Sequence, residues 1–247
     1  MLSDAQLERF SRQLLLPGFD LEHQERLLAA HVLIVGCGGL GNPLALYLAA
    51  AGVGSLTLAD GDQVSRSNLH RQVLFTDEQL GQPKASSLAV ALSAHTPACH
   101  IQAIDAYLEA EALHSAVRDA DLVADASDNF PTRYAINRSC IAAKKPWVSA
   151  AAVRTEGQLL SIDVANGTPC YRCLYPREGD ASALSCSESG VLGPVVGMMA
   201  MLQALEIIKQ LTGWGEPLGG RLLMVDLASY AQQTLTLSRR DDCPDCA

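Results

Sequence analysis

Between Asp4 and Leu16 the apolar residues Leu7, Phe10, Leu14 and Leu15 recur at three- and four-residue steps, which predicts an amphipathic helix ended by Pro17-Gly18. Val32-Leu33-Ile34-Val35 breaks that period, and an uninterrupted apolar run of this length fits a parallel strand covered on both faces. A glycine-rich turn leads into an alanine- and leucine-rich helix from about Leu40 to Ala51. Gly52 and Gly54 close it, and Ser55 to Asp60 reads as a second strand ending on an acid. Pro83 to His95 predicts a helix, Ile101 to Ile104 a strand, Glu109 to Val117 a helix and Asp121 to Asp125 a fourth strand. This alternation predicts the α/β class, a doubly wound sheet with right-handed crossovers behind an N-terminal helix.

The texture changes after Ser149. Gly157 to Asp163 suggests an antiparallel strand, and a cysteine- and glycine-rich loop runs from there to about Gly193. A long helix and two C-terminal strands, Leu222 to Val225 and Thr234 to Leu237, complete the pattern. The most apolar stretch, Val191 to Ile208, starts with Pro194 and carries Gln203 and Glu206, with Lys209 just beyond. These interruptions favour a buried core or dimer-interface helix over a membrane span. No repeat or low-complexity linker divides residues 1–247, which read as a single domain with halves 1–150 and 151–247.

Composition narrows the function. With 49% hydrophobic and 18% charged residues the chain can bury a large core. A net charge of −9 argues against a broad basic surface for nucleic acid or anionic lipid, so any anionic ligand must be held locally. The opening residues lack the basic-then-apolar layout of a secretory signal, which leads to the expectation of a cytosolic protein without nucleic-acid or membrane partners.

Gly36-Cys37-Gly38-Gly39-Leu40-Gly41 matches G-x-G-x-x-G between a buried strand and a helix, where backbone N–H groups can approach a phosphate at the helix N-terminus. Asp60, 19 residues past Gly41, ends the next strand, where an acid can accept hydrogen bonds from ribose hydroxyls. The fingerprint alone serves NAD and FAD enzymes as well, but Asn68, Arg71 and Lys84 follow it, and two fixed cations suit a triphosphate better than a pyrophosphate bridge. The fourth strand runs into Asp125-Ala-Ser-Asp128-Asn129 at the sheet's carboxyl edge. Asp128 is a candidate Mg²⁺ ligand there, and the plainer alternative is that Asp128 or Asn129 caps the helix starting near Pro131.

Cys170-Tyr-Arg-Cys173 and Cys243-Pro-Asp-Cys246 offer four thiolates at the spacing of a structural zinc site, one pair in a loop and one in the C-terminal tail. Two unrelated or redox-active pairs are the alternative. Cys37, Cys99 and Cys140 read as buried packing residues. The fold expected is therefore a Rossmann-like doubly wound sheet with an N-terminal helix, extended by antiparallel strands and a zinc-bearing C-terminal part.

Ser11-Arg12-Gln13, the glycine turn, Asp60-x-Asp62, Ser67-Asn68-Leu-His70-Arg71-Gln72, Gln82-Pro-Lys84, Ser127-Asp128-Asn129 and the two C-x-x-C pairs together resemble the MoeB/ThiF/HesA family. These are the ubiquitin-activating-type adenylyltransferases of molybdopterin and thiamine biosynthesis, and the resemblance covers nearly the whole chain. It implies ATP-dependent adenylation of the C-terminal glycine of a small ubiquitin-like sulfur carrier ending in Gly-Gly. The glycines and Asp62, Gln72 and Asn129 would line the nucleotide site, with Asp60 on the ribose, Asn68, Arg71 and Lys84 on the triphosphate and Asp128 on Mg²⁺. It also implies a homodimer in which Arg12 reaches the partner's ATP site, with carrier binding in the half 151–247. Cys186 matches a family position linked in some members to covalent sulfur-carrier chemistry, so it is a candidate nucleophile beside the alternative of an inert loop thiol. Cys37, His70 and Ala126 stand where the family commonly has Leu, Gln and Cys, and none of these departures removes a ligand. Arg154 leans towards molybdopterin-type rather than thiamine-type members. An NAD-dependent oxidoreductase and a non-catalytic zinc scaffold are the rival readings from other classes.

Overall fold

The computed structural model describes residues 1–176 and 190–247. Its organising element is one eight-stranded sheet in the order β3-β2-β1-β4-β5-β6-β7-β8. The strands are β1 His31–Val35, β2 Ser55–Ala59, β3 His100–Ile104, β4 Leu122–Asp125, β5 Trp147–Val153, β6 Glu156–Ile162, β7 Arg221–Asp226 and β8 Ala231–Thr236. The first five pair in parallel, whereas β5 through β8 pair antiparallel. The parallel part carries the doubly wound pattern, and the antiparallel strands extend the same sheet rather than starting a second one.

Eight helices are described: α1 Asp4–Leu14, α2 Leu21–Ala29, α3 Gly41–Ala51, α4 Lys84–His95, α5 Ala110–Asp119, α6 Phe130–Ala143, α7 Tyr171–Leu174 and α8 Gly193–Thr212. Alternation along β1 divides them between two faces. Val32 and Ile34 join Leu44 and Leu48 of α3, Leu88 and Leu92 of α4, and Met199 and Ile207 of α8 in one core. Leu33 and Val35 point the other way, into a core with Leu113 and Val117 of α5 and Tyr134, Ile136 and Cys140 of α6. This two-sided burial is why the strand reads as a continuous apolar run.

The apolar stretch near residue 200 is the core helix α8. Its Gln203 is fully buried and donates from Nε2 to the carbonyls of Asp125 at 2.8 Å and Val148 at 2.9 Å, which ties the helix to β4 and β5. Glu206, 1% exposed, accepts the Leu218 N–H at 2.8 Å. The Gln203 amide N–H and the Glu206 carboxylate thus find partners inside the protein that lipid would not offer.

Several elements differ from expectation. Helix α2 and strand β5 were not anticipated, the cysteine-rich loop contains the short helix α7, the last strand is Ala231–Thr236 rather than Thr234 to Leu237, and Cys99, expected to be buried, lies just before β3 and is only partly buried. Asp20 caps α2, accepting from the backbone N–H groups of Glu22 and His23. The last strand shifts because it is an exposed edge, where no buried face fixes the register.

Candidate functional site

The sheet order reverses between β1 and β4, and a cleft of about 480 Å³ opens at the carboxyl ends of these strands. Ligands of open α/β sheets bind at such a switch point. Its floor is the turn from β1 into α3. Gly36 has φ +98°, and a Cβ there would lie 2.7 Å from the Ala126 carbonyl oxygen. A Cβ on Gly41 would lie 1.8 Å from the Gly36 carbonyl oxygen, so the turn closes only with glycine at both ends. Gly38 and Gly39 leave backbone facing the cleft beside the start of α3, an arrangement suited to phosphate.

Asp60, following β2, is oriented by two backbone donors: the Cys37 N–H reaches Oδ2 at 2.7 Å and the Asp62 N–H reaches Oδ1 at 2.8 Å. Burial pushes its carboxyl above the ordinary range, while those N–H groups and Lys84 pull it down. Cys37 is fully buried, and burial first, then the Asp60 charge, pushes its thiol well above the ordinary value. It is a packing residue whose N–H does the work.

The cations line the same cleft, close to Asp60 and the glycine turn. Lys84, 6% exposed in its side chain, lies 2.7 Å from Asp62, so its charge is already paired here rather than free. Burial alone would raise the Asp62 carboxyl, but hydrogen bonds from Lys84 and Tyr107 outweigh it and hold the group below its ordinary value. Donation to Asp62 pushes the Tyr107 phenol up to about 12, so it remains a neutral donor at physiological pH. Arg71 donates from Nη2 to Asn68 Oδ1 at 2.7 Å and packs beside His70, whose Nε2 lies 2.9 Å from Nη1. Gln72 also lines the cleft, 2% exposed, with no partner for its Oε1 among the described residues.

The β4 end supplies the third wall. Asn129 is the N-cap of α6, accepting the Thr132 N–H at 2.9 Å. The capping role therefore falls to Asn129, and Asp128 is left at the cleft as an exposed carboxylate. Beneath them Asp125 is fully buried, accepting from Ser127 N at 3.0 Å, Ser127 Oγ at 2.5 Å and Ser149 Oγ at 2.6 Å. Arg133 on α6 places Nε 3.4 Å from Asp125 Oδ2 and donates from Nη2 to the Ser127 carbonyl at 2.8 Å.

The structure thus gathers Gly36, Gly38, Gly39, Asp60, Asp62, Asn68, Arg71, Gln72, Lys84, Asp128 and Asn129 around one cleft, with Gly41 behind the turn. Arg12 is exposed on α1 and does not line the cleft of its own chain. Cys186 lies outside the described residues. Tyr107 and Arg133 were missed, and Asp125 was placed at the sheet's carboxyl edge without a role. Tyr107 follows β3 at the ligand-binding edge, a position that strand-end reasoning could have flagged, whereas nothing in the sequence pairs Arg133 with a buried acid.

A second cluster holds the four remaining thiols. Cys170, Cys173, Cys243 and Cys246 have Sγ atoms all within 4.8 Å of one another. The Cys170–Cys243 and Cys173–Cys246 separations are 3.5 Å and the Cys170–Cys173 separation is 3.9 Å. A disulfide needs about 2.05 Å. Four sulfurs about 2.3 Å from a central zinc sit about 3.8 Å apart, which these separations match.

The model of the ThiF family matches residues 10–245. The molybdopterin-synthase adenylyltransferase of Escherichia coli is 44% identical over 99% of this chain and 98% of its own. The adenylyltransferase and sulfurtransferase MOCS3 of Bos taurus is 48% identical over 100% of this chain, which spans only 54% of that protein. Among solved structures, E. coli MccB with AMPCPP and MccA aligns at a TM-score of 0.84 with 25% identity, covering 96% of this chain and 73% of that one.

Proposed function

The chain belongs to the ThiF family, and from that membership we propose that it is an adenylyltransferase activating the C-terminal glycine carboxylate of a ubiquitin-like sulfur carrier for molybdopterin biosynthesis. The observation that carries this reading is the convergence of the glycine turn, Asp60, Arg71, Lys84 and Asp128 on one cleft. An NAD oxidoreductase would need none of the cations, and a bare zinc scaffold would need none of the cleft.

In the reaction a carrier carboxylate oxygen forms a bond to the α-phosphorus of ATP. The bond from that phosphorus to the bridging oxygen breaks, and pyrophosphate leaves with the electron pair. No base is needed, because the carboxylate is already ionised, so catalysis is positioning and charge neutralisation. The turn at Gly38 and Gly39 would receive phosphate oxygens, and Asp60, held by two N–H donors, would accept from the ribose. Arg71 with Asn68, and Lys84, would face the triphosphate. Lys84 can exchange Asp62 for phosphate with little movement, since both line the same wall. Gln72 brings a buried acceptor with no partner among the described residues, ready for a ligand donor.

Asp128 offers the hard oxygen that Mg²⁺ prefers, and a bound Mg²⁺ would neutralise charge on the phosphates. The four cysteines would hold zinc as a structural ion, fixing the tail to the end of β6 and to α7. Thiolates of this kind stay reduced in the cytosol, where we place the enzyme. A homodimer would bring Arg12 to the partner's cleft. Exposed Met198 and Leu205 of α8 and nearby Leu192 give apolar surface for such a contact.

ATP–pyrophosphate exchange, run with molybdopterin-type and thiamine-type carriers side by side, tests the reading. Carrier-dependent exchange supported best by the molybdopterin-type carrier is expected. Exchange only with the thiamine-type carrier would move the enzyme to that pathway, and no exchange with tight NAD binding would overturn the activity.

A further inference from the structure

A second cavity, of about 310 Å³, lies at the opposite edge of the sheet, where β5 begins and β6 ends. It is lined by Cys140 and Ile141 of α6, Lys144 and Lys145 of the following turn, Trp147, and Arg239 beyond β8, with Ile162, Val164 and Ala165 completing the wall. No acidic residue lines it. In a chain of net charge −9, three cations around one cavity are not a by-product of composition. None of the three makes a side-chain hydrogen bond or ion pair with the described residues.

The helix dipole accounts for part of this, since lysines at the C-terminal end of α6 face its carbonyls. It does not account for Trp147. That side chain is 1% exposed, and its Nε1–H has no acceptor among the described residues. A sealed indole N–H without an acceptor costs about 1–3 kcal/mol, and tryptophan can only donate. Nearby cations cannot accept the bond. An anion's oxygen can, once the indole edge turns towards the cavity that Trp147 lines, and the same anion would take the lysine and arginine charges.

We propose that this cavity is a binding site for a phosphate-class oxoanion, held by Lys144, Lys145, Arg239 and the Trp147 indole N–H. It lies away from the cleft assigned to the nucleotide, shares no lining residue with it, and stands whether or not the adenylation reading holds. Inorganic phosphate and pyrophosphate share the chemistry, and three cations on a cavity of this size admit either.

The chain has two tryptophans, and Trp214 bonds the Pro17 carbonyl far from the cavity. A Trp214→Phe variant therefore leaves Trp147 as the only fluorescent tryptophan, reporting directly from the site. Titration with phosphate and separately with pyrophosphate, at constant ionic strength against chloride and acetate, should give a saturable change in the millimolar range for at least one of the first two. The anion that binds tighter names the source. In the same background Lys145→Ala with Arg239→Ala should weaken binding about tenfold or more. These residues lie outside the nucleotide cleft, so ATP–pyrophosphate exchange should be unchanged. A change that never saturates, that acetate reproduces equally, or that keeps its midpoint in the double variant would overturn the site. The last result would trace the signal to phosphate in the nucleotide cleft.

Discussion

Arg133→Met isolates the interaction that shapes the β4 end of the cleft. The side chain is 12% exposed and its partner Asp125 is 0% exposed, so both charges have left water. Burial alone would lower the Arg133 guanidinium, but the Asp125 charge, with Tyr171 and Tyr175 beside it, together outweighs that and leaves it above its ordinary value. Methionine keeps the apolar stem and removes the charge, leaving Asp125 with Ser127 and Ser149 as its donors among the described residues. Breaking a buried pair from one side costs about 3–5 kcal/mol. For a chain of this size each kcal/mol moves the midpoint by about 2–4 °C, so a drop of about 6–20 °C is expected in thermal unfolding. Asp125→Asn in the same background removes the stranded charge and should recover part of the loss, which a double-mutant cycle reads as coupling. Arg133→Met unfolding within about 1 kcal/mol of the parent, or strict additivity of the two changes, would refute the reasoning.

Arg71→Ala and Lys84→Ala should each lower kcat/KM for carrier adenylation by about a hundredfold or more, and undiminished exchange in both would remove the triphosphate assignment. Gly41→Ala forces a Cβ onto the Gly36 carbonyl oxygen at 1.8 Å, so ATP binding followed by calorimetry should be lost even at temperatures where circular dichroism still shows a folded chain. Metal analysis after gentle purification should find about one zinc per chain, absent in Cys243→Ser, and a metal-free parent would sink the four-thiolate site. Because the Asp62 carboxyl is held below its ordinary value of 3.8, its contribution to stability is complete above that pH and is lost as pH falls through the lower folded value. Urea unfolding of the parent and Asp62→Asn should therefore differ most near neutrality and converge in acid; a gap that widens below pH 3.8 would reverse the sign.

Where local pattern and buried surface agree, the sequence was sufficient. Val32 to Val35 could be read as a two-faced strand because both faces are in fact covered, and Gly36 and Gly41 of the following turn are required by backbone approaches under 3 Å. The exposed β8 edge lacked that agreement, and its bounds were misplaced accordingly. The cleft residues in sequence motifs were legible one by one, but their interactions were not. Lys84 was read as a fixed cation for the triphosphate, but the partner that holds it, Asp62, 22 residues earlier, was not foreseen. Arg133 and Asp125 sit on consecutive elements whose side chains meet only after β4 and α6 pack, and no spacing rule encodes that contact.

Helix α6 connects the two candidate sites. At its first turn Asn129 caps it on the wall of the cleft. Eight residues on, about 12 Å along the axis, Asn137 is fully buried and spans two partners. Its Oδ1 accepts the Tyr171 N–H at 3.0 Å and its Nδ2 donates to Asp245 at 2.9 Å. Tyr171 and Asp245 each stand next to a cysteine of the four-thiol cluster, and Arg172 reaches Asp245 at 3.4 Å from the other side. The cluster therefore does more than pin a chain end: it fixes the two groups that satisfy a buried amide in the middle of the helix. With the tail released, Asn137 would lose an acceptor in a place water does not reach, and the helix that positions Asn129 and Arg133 would lose a support. The four-cysteine cluster beyond the middle of α6 is, on this geometry, part of what keeps the β4 wall of the cleft in place.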